Sequence, residues 1–124
     1  MGNKLKGIKA ERELYHLLWG KEFAVVRVAG SGCMPEPSCD LLAGNGSSSY
    51  AIEVKTSRDK RKYITKKQIN EFTGFAKKFG VQPILAFKFL RTEWLFVKPE
   101  HLEDCGKNFA ISIEKAKELN LKII

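Results

Sequence analysis

Residues 50–55 read Tyr-Ala-Ile-Glu-Val-Lys, an apolar stretch that contains one acid and one base. Side chains alternate between the two faces of a β-strand, so this pattern predicts a strand with its apolar residues on one face. Glu53 and Lys55 then share the other face, where a carboxylate lies beside an ammonium group. Taken alone, the pair is either a surface ion pair, which contributes little to stability, or part of a reactive site.

A second carboxylate comes from the segment before this strand. Asp40 begins a predicted strand, Asp40–Ala43, and the following Gly44-Asn45-Gly46 is a hairpin signal. Pairing through that turn brings Asp40 near Glu53, and two converging carboxylates predict an oxygen-ligand site for Mg²⁺. Lys55 would then orient the attacking water or neutralise the developing charge. The alternative is that Asp40 accepts hydrogen bonds from backbone N–H groups at the end of a loop.

A third acid, Glu11, lies on the apolar stripe of a helix predicted over residues 4–19. A carboxylate on a buried stripe costs free energy unless it is paired or bound to a metal ion. Glu11 therefore either completes the cation site, pairs with Arg12 or Arg27, or lies on a stripe that is partly exposed. Both arginines are suited to bidentate contacts with phosphate, and both are equally suited to ion pairs with these acids.

Further strand signals predict a single domain, residues 1–124, built on a mixed sheet. Runs of β-branched and aromatic residues favour strands at Phe23–Ala29, Tyr50–Thr56, Ile84–Leu90, Trp94–Val97 and Phe109–Ile113. With the helix at residues 4–19, a second one after residue 65 and a short one near residues 114–120, the order predicts an α/β fold. Its central mixed sheet is expected to be flanked by helices.

The second helix is marked by local signals at both ends. Thr65 and Gln68 have the spacing of a capping box, and Gly80 suits the position after the last turn. The Gln68 side chain either caps this helix or faces the acid–lysine pair of the strand. Phe75, at the edge of the apolar stripe of the helix, is either a core residue or a surface contact.

The charge distribution favours a polyanionic partner. The 124 residues include 22 Lys and Arg against 14 Asp and Glu, a net charge of +8. Basic residues cluster within residues 54–67, where each phosphate neutralised by a protein cation releases counterions. A solvated, solubilising surface is the alternative. The residues of this cluster that we expect to contact DNA are Arg58, Lys60, Arg61, Lys62, Lys66 and Lys67.

Other classes of protein are disfavoured by composition. A hydrophobic content of 44% is too high for a disordered chain, and no apolar run approaches the roughly 20 residues of a membrane span. The N-terminus lacks the apolar stretch of a signal peptide, so we expect a cytoplasmic protein with no membrane partner. The three cysteines lack the spacing of a zinc site, and we expect free thiols.

The ordered set of these segments resembles a known nuclease family. Asp40 followed by Glu53-Val54-Lys55 is similar to the PD-(D/E)xK nuclease signature. Within that superfamily the chain resembles the archaeal Holliday junction resolvases (Hjc), over most of residues 4–97. One departure is Cys39, which precedes the aspartate where the signature has proline. The other segments that carry the resemblance include Ala10-Glu11-Arg12-Glu13, Phe23-Ala24-Val25-Val26-Arg27, Asp40–Gly46 and Phe75–Gly80.

The resemblance implies a restriction-endonuclease-like core and a homodimeric, Mg²⁺-dependent endonuclease of DNA recombination and repair, in which Mn²⁺ substitutes for Mg²⁺. Such an enzyme recognises four-way DNA junctions by shape and nicks two opposing strands symmetrically. The alternatives are another PD-(D/E)xK nuclease, restriction-like or acting in repair, and a non-catalytic module that binds junctions. A sliding clamp or a branch-migration factor would be an unsurprising protein partner.

The resemblance also implies roles for individual residues. The active-site positions that match are Glu11, Asp40, Glu53 and Lys55, with the three acids as metal ligands. Ser31 matches a serine of the catalytic loop, although Gly30-Ser31-Gly32 by itself is either a phosphate-binding turn or a flexible connector. Further matching positions are Arg12 and Arg27, expected on DNA, and Phe72, Phe75 and Phe79, expected at the dimer interface.

Overall fold

Two sheets and three helices make up residues 3–30 and 33–124, the part of the chain that the computed structural model describes. The side chains of residues 3–6 are not described. A short 3₁₀ helix, Pro99–His101, follows the sixth strand. In chain order the elements are α1 (Asn3–Trp19), β1 (Ala24–Arg27), β2 (Leu41–Gly44), β3 (Ser49–Ser57), β4 (Arg61–Thr65), α2 (Lys66–Phe79), β5 (Gln82–Phe89), β6 (Leu95–Val97), β7 (Glu103–Cys105), β8 (Asn108–Ser112) and α3 (Ile113–Glu118).

The larger sheet is mixed, which confirms the predicted fold class. Its strand order is β1-β2-β3-β5-β6, and only the β3–β5 pairing is parallel. A smaller antiparallel sheet has the order β4-β8-β7. The parallel pair is joined by a crossover that contains α2, because parallel neighbours need a long connection.

Helices cover both faces of the larger sheet. Leu14 and Leu18 of α1 are fully buried in one core with Ile52 of β3. On the opposite face, α2 packs against Leu85 of β5 in a second core. Alternate residues of a strand point to opposite faces, so neighbouring residues of β3 and β5 contribute to different cores.

One residue expected at a dimer interface belongs to this second core. Phe72 on α2 is only 2% exposed and packs among buried residues of its own chain. The expectation for Phe72 was wrong, because a side chain enclosed by its own protomer offers no surface to a partner. The expectation came from the family resemblance, whereas Phe72 lies on the buried face of α2, and such an apolar stripe faces the core before it faces a partner.

The predicted helix ends of α2 are confirmed. The Thr65 hydroxyl oxygen accepts a hydrogen bond from the Gln68 backbone N–H at 3.1 Å. At the other end, Gly80 adopts a left-handed conformation with φ of 95°, and its N–H donates to the Ala76 carbonyl. That conformation costs a side-chain-bearing residue free energy, which is why glycine is favoured there.

The smaller sheet contains the strands that sequence patterns did not predict. β4 lies inside the basic cluster, and its sequence Arg-Lys-Tyr-Ile-Thr buries one side chain, Ile64. Local β-propensity is therefore weak, and pairing with β8 over all five residues stabilises the strand. The third strand, β7, is exposed along its length and pairs with β8.

Two glycines of the α2 region should respond in opposite directions to alanine. Gly80→Ala should destabilise the protein by about 1 kcal/mol, because alanine is strained at positive φ. Gly74→Ala, inside α2 with open space around a new Cβ, should stabilise it by about 1 kcal/mol through helix propensity. Urea unfolding of both variants measures this, and a common direction of change would contradict the assigned conformations.

Candidate active site

Asp40 and Glu53 meet where β2 begins. Leu41 pairs with Ile52 in the β2–β3 register, so Asp40 stands opposite Glu53. The Asp40 Oδ2 atom accepts a hydrogen bond from the Val54 N–H at 2.8 Å, and its carboxylate is hydrogen-bonded to the Glu53 side chain. Both alternatives for Asp40 are therefore realised: it binds a backbone N–H and also converges on a second acid.

The Glu53 carboxyl group has an unusual electrostatic environment. Its side chain is 19% exposed, and burial is the main reason why its pKa is raised to about 8, with Asp40 as the second cause and Lys55 opposing the rise. In the absence of another cation, Glu53 therefore keeps its proton to a higher pH than an ordinary carboxyl group does. A pair of carboxylates that must hold a proton is a donor set that suits a hard divalent cation.

Lys55 lies next to these acids, as strand alternation predicts. Its ammonium Nζ is 3.9 Å from Glu53 Oε2 and donates a hydrogen bond to Gln68 Oε1 at 3.3 Å. The side chain of Lys55 is 17% exposed, so its polar end is held within the site. Of the two alternatives for Gln68, the side chain faces the acid–lysine pair, while capping of α2 uses its backbone N–H and Thr65.

Glu11 approaches the pair from α1 and binds an arginine. Its Oε1 atom accepts a hydrogen bond from Arg27 Nε at 3.1 Å, and its side chain is 17% exposed. Burial and then the charge of Asp40 raise the pKa of Glu11, while Arg27 lowers it. Among residues 3–30 and 33–124, no three His, Cys, Asp or Glu side chains form a group ready to hold a metal ion. The role of Glu11 as a third ligand therefore stays a prediction.

Cys39, where the signature has proline, is buried beside the acids. It is 1% exposed, and its thiol donates a hydrogen bond to the Leu41 carbonyl at 3.3 Å. Burial, followed by the charges of Glu53 and Asp40, raises the pKa of Cys39 to about 12. The thiol therefore stays protonated, and the departure from the signature leaves the carboxylates in place.

The predicted DNA-binding residues differ in their exposure and in whether an acid of the same chain already pairs with them. Arg61 binds Glu103 and Lys66 binds Asp104, each at 2.7 Å, so both cations are paired with acids of β7. Lys62 is half-buried, and burial followed by the charge of Lys55 lowers its pKa. The residues of the set with exposed side chains are Arg12, Arg58, Lys60 and Lys67. Ser31 lies outside the described residues.

Sequence patterns missed one basic surface. A cleft of about 690 Å³ opens at the carboxyl ends of β3 and β5, beside α1. Its cations come from separate elements and make no contiguous motif, although Lys88 interrupts the apolar run of β5 much as Arg27 interrupts that of β1. The basic residues that line the cleft are Lys9, Arg58, Lys62, Lys88 and Arg91.

An apolar groove lies on the other side of the larger sheet. Its volume is about 390 Å³, and it runs along the exposed edge of β1 to the end of α2. Val26 and Phe79 there are each 59% exposed, and Trp19 is 49% exposed. Phe75 is half-buried against the core, with its ring centroid 5.5 Å from that of Phe79.

Sequence comparisons match this chain to one family of proteins. Residues 2–124 match the family model described as archaeal Holliday junction resolvase (Hjc). The chain is 40% identical over 120 residues to the crossover junction endodeoxyribonuclease Hjc of Archaeoglobus fulgidus, covering 97% of this chain and 88% of that protein. It is 42% identical over 106 residues to Hjc of Methanocaldococcus jannaschii, covering 86% and 75%.

A solved structure agrees with the sequence comparisons. The fold superposes on a 1.6 Å structure of Archaeoglobus fulgidus Hjc, a Holliday junction resolvase, with a TM-score of 0.84 and 37% sequence identity. The match covers 95% of this chain and 92% of that one.

No described helix has the length and apolar character that crossing a membrane requires.

The raised pKa of Glu53 should make stability depend on pH. The folded protein binds this proton more tightly than the unfolded chain does, so this contribution to stability is complete below pH 4.5 and is lost as the pH rises towards about 8. With a chelator present, urea unfolding of the wild type should lose up to about 1.4 kcal/mol per pH unit more than Glu53→Gln does over that range. Parallel pH dependences of the two proteins would contradict the environment assigned to Glu53.

Proposed function

We propose that this chain, which belongs to the archaeal Holliday junction resolvase family, is a Mg²⁺-dependent endonuclease that nicks four-way DNA junctions. The observation that carries the proposal is the Asp40–Glu53 pair with Lys55 beside it. Two acids and a lysine on paired strands are the residue types that hydrolysis of a phosphodiester needs: oxygen ligands for a cation and a positive charge near the phosphate.

The donor set fits Mg²⁺. Asp40 and Glu53 present adjacent carboxyl oxygens, and the proton that burial and the charge of Asp40 favour on Glu53 is what a divalent cation would replace. Mg²⁺ supplies positive charge that activates water and stabilises the phosphate under attack. Glu11 would complete the set from α1. Mn²⁺ binds the same oxygen ligands and should substitute.

The chain's own cations would place the DNA backbone. Lys55 orients the attacking water or neutralises charge that develops on the phosphate. Arg27 is held in a fixed direction by Glu11, which leaves its remaining N–H groups for a phosphate oxygen. Arg12 lies on the exposed side of α1 and lines a surface pocket together with Arg27. The cleft at the ends of β3 and β5 offers further cations to the DNA backbone.

Selectivity for junctions would come from geometry more than from base contacts. Phosphate contacts position a protein without reading sequence, and the shape and deformability of DNA provide specificity. A homodimer with twofold symmetry would present two active sites at a fixed separation, as symmetric nicking of two opposing strands requires. The apolar groove beside Phe79 is the surface that we assign to the partner, because large exposed apolar patches mark interaction sites.

Cutting and binding should separate in active-site variants. The wild type should nick a labelled four-way junction in Mg²⁺ and leave a linear duplex of the same sequence largely intact. Asp40→Asn and Glu53→Gln should lose cutting, because each removes an anionic oxygen ligand, and should still bind the junction in a mobility-shift assay. Glu71→Gln, which neutralises an exposed acid on α2, is the matched control and should cut normally.

Other outcomes distinguish the alternatives. Equal cutting of junction and duplex, or preference for a particular sequence, would favour another nuclease of the superfamily. Tight binding of the junction by the wild type with no product at any Mg²⁺ or Mn²⁺ concentration would favour a non-catalytic module. Loss of junction binding in both amide variants would make Asp40 and Glu53 structural.

Self-association should depend on Phe79. Phe79→Ala removes an exposed ring from the apolar groove and should shift the mass measured by sedimentation towards the monomer, with little effect on the free energy of unfolding of the protomer. Tyr63→Ala removes a comparably exposed ring from the smaller sheet and should leave the mass unchanged. If neither variant changes the mass, the groove is not the dimer surface.

A further inference from the structure

We propose that Gln68 is a positioning residue that holds the Lys55 ammonium group beside Glu53 in the cutting reaction. The inference rests on the proposed function and adds to it a residue from α2, outside the strands that carry the acids and the lysine. Neither the family signature nor the spacing of the acids assigns a role to this position.

The contacts of Lys55 show why a further residue is needed. Its Nζ lies 3.9 Å from Glu53 Oε2, which is too long for a hydrogen bond, whereas Gln68 Oε1 accepts a hydrogen bond from it at 3.3 Å. A flexible four-carbon side chain has many rotamers. The amide oxygen of Gln68 is thus the acceptor that sets the direction of the ammonium group in the described part of the chain.

A second cation makes an acceptor at this place more important. Lys62 of β4 is close enough to Lys55 for the two charges to repel, which contributes to the lowered pKa of Lys62 after burial. Without a partner for its N–H groups, Lys55 would be free to move away from Lys62 and from the acids. The Gln68 carbonyl offsets this repulsion at the side of the ammonium group that faces α2.

The backbone of Gln68 is fixed at the start of α2, and its exposed side chain extends from there to Lys55. It is the third residue of α2, and its backbone N–H is bound by the Thr65 hydroxyl at 3.1 Å. Because Thr65 provides the helix cap through the backbone of Gln68, the side chain of Gln68 is not needed for capping. Replacing that side chain therefore leaves the start of α2 intact, so an effect on cutting can be separated from an effect on folding.

The test compares three variants with the wild type on a four-way junction. Gln68→Met has a similar length without an acceptor, Gln68→Glu keeps an acceptor oxygen, and Asn70→Met changes an exposed amide of the same helix. In single-turnover reactions at saturating protein, Gln68→Met should cut roughly tenfold to a hundredfold more slowly, because the ammonium group is misplaced. Its junction Kd should stay unchanged. Gln68→Glu should restore the rate, and Asn70→Met should cut normally.

A structural measurement keeps the inference separate from the proposed function. In a crystal structure of cation-free Gln68→Met, Lys55 Nζ should have moved away from Glu53, and an unmoved Nζ would overturn the inference. Wild-type-like cutting by Gln68→Met, or cutting by Gln68→Glu as slow as by Gln68→Met, would also overturn it while the endonuclease proposal stands. Failure of the wild type itself to cut junctions would instead defeat the proposed function.

Discussion

The hydrogen bond from the Val54 N–H to the Asp40 carboxylate at 2.8 Å is the interaction on which the site depends. β2 starts at Leu41, so beyond Ile52 the β3 strand has no β2 residue beside it. The Asp40 side chain takes the place of that missing strand and satisfies the next N–H of the ladder, which would otherwise be costly to bury. The same contact brings the Asp40 carboxylate against Glu53, so closing the strand end and building the acidic pair are one structural event.

The Asp40–Glu53 pair concentrates acidic groups at one place in a protein whose net charge is +8. The electrostatic cost of gathering acids here is visible in the raised pKa values of Glu53 and of the neighbouring Glu11, for which burial is the largest cause in each case. Surrounding cations reduce this cost, with Arg27 on Glu11 and Lys55 beside Glu53. A rigid sheet between two helical layers holds together acidic groups that would separate in a flexible loop, and this is the arrangement that the proposed cation would require.

Different parts of the site were accessible to sequence reasoning to different degrees. Strand alternation was enough to place Lys55 beside Glu53, and the hairpin signal was enough to bring Asp40 opposite Glu53, because both follow from local periodicity and register. Helical periodicity placed Glu11 on a buried stripe without choosing its partner. The family resemblance placed Phe72 at a dimer interface, and it could not show that this side chain is enclosed by its own core.

The sequence by itself determined the α/β class, both long helices, the two ends of α2, and the spacing that brings Asp40, Glu53 and Lys55 together, because these follow from patterns among residues close in the chain. Only the tertiary structure decided that Glu11 binds Arg27, that Gln68 turns towards Lys55, and that β4 forms at all. It also gathered the cleft cations from α1, β4, β5 and the turns that follow β3 and β5. Such choices depend on which distant segments pack together, and a linear pattern carries no information on that packing until the sheet order is known.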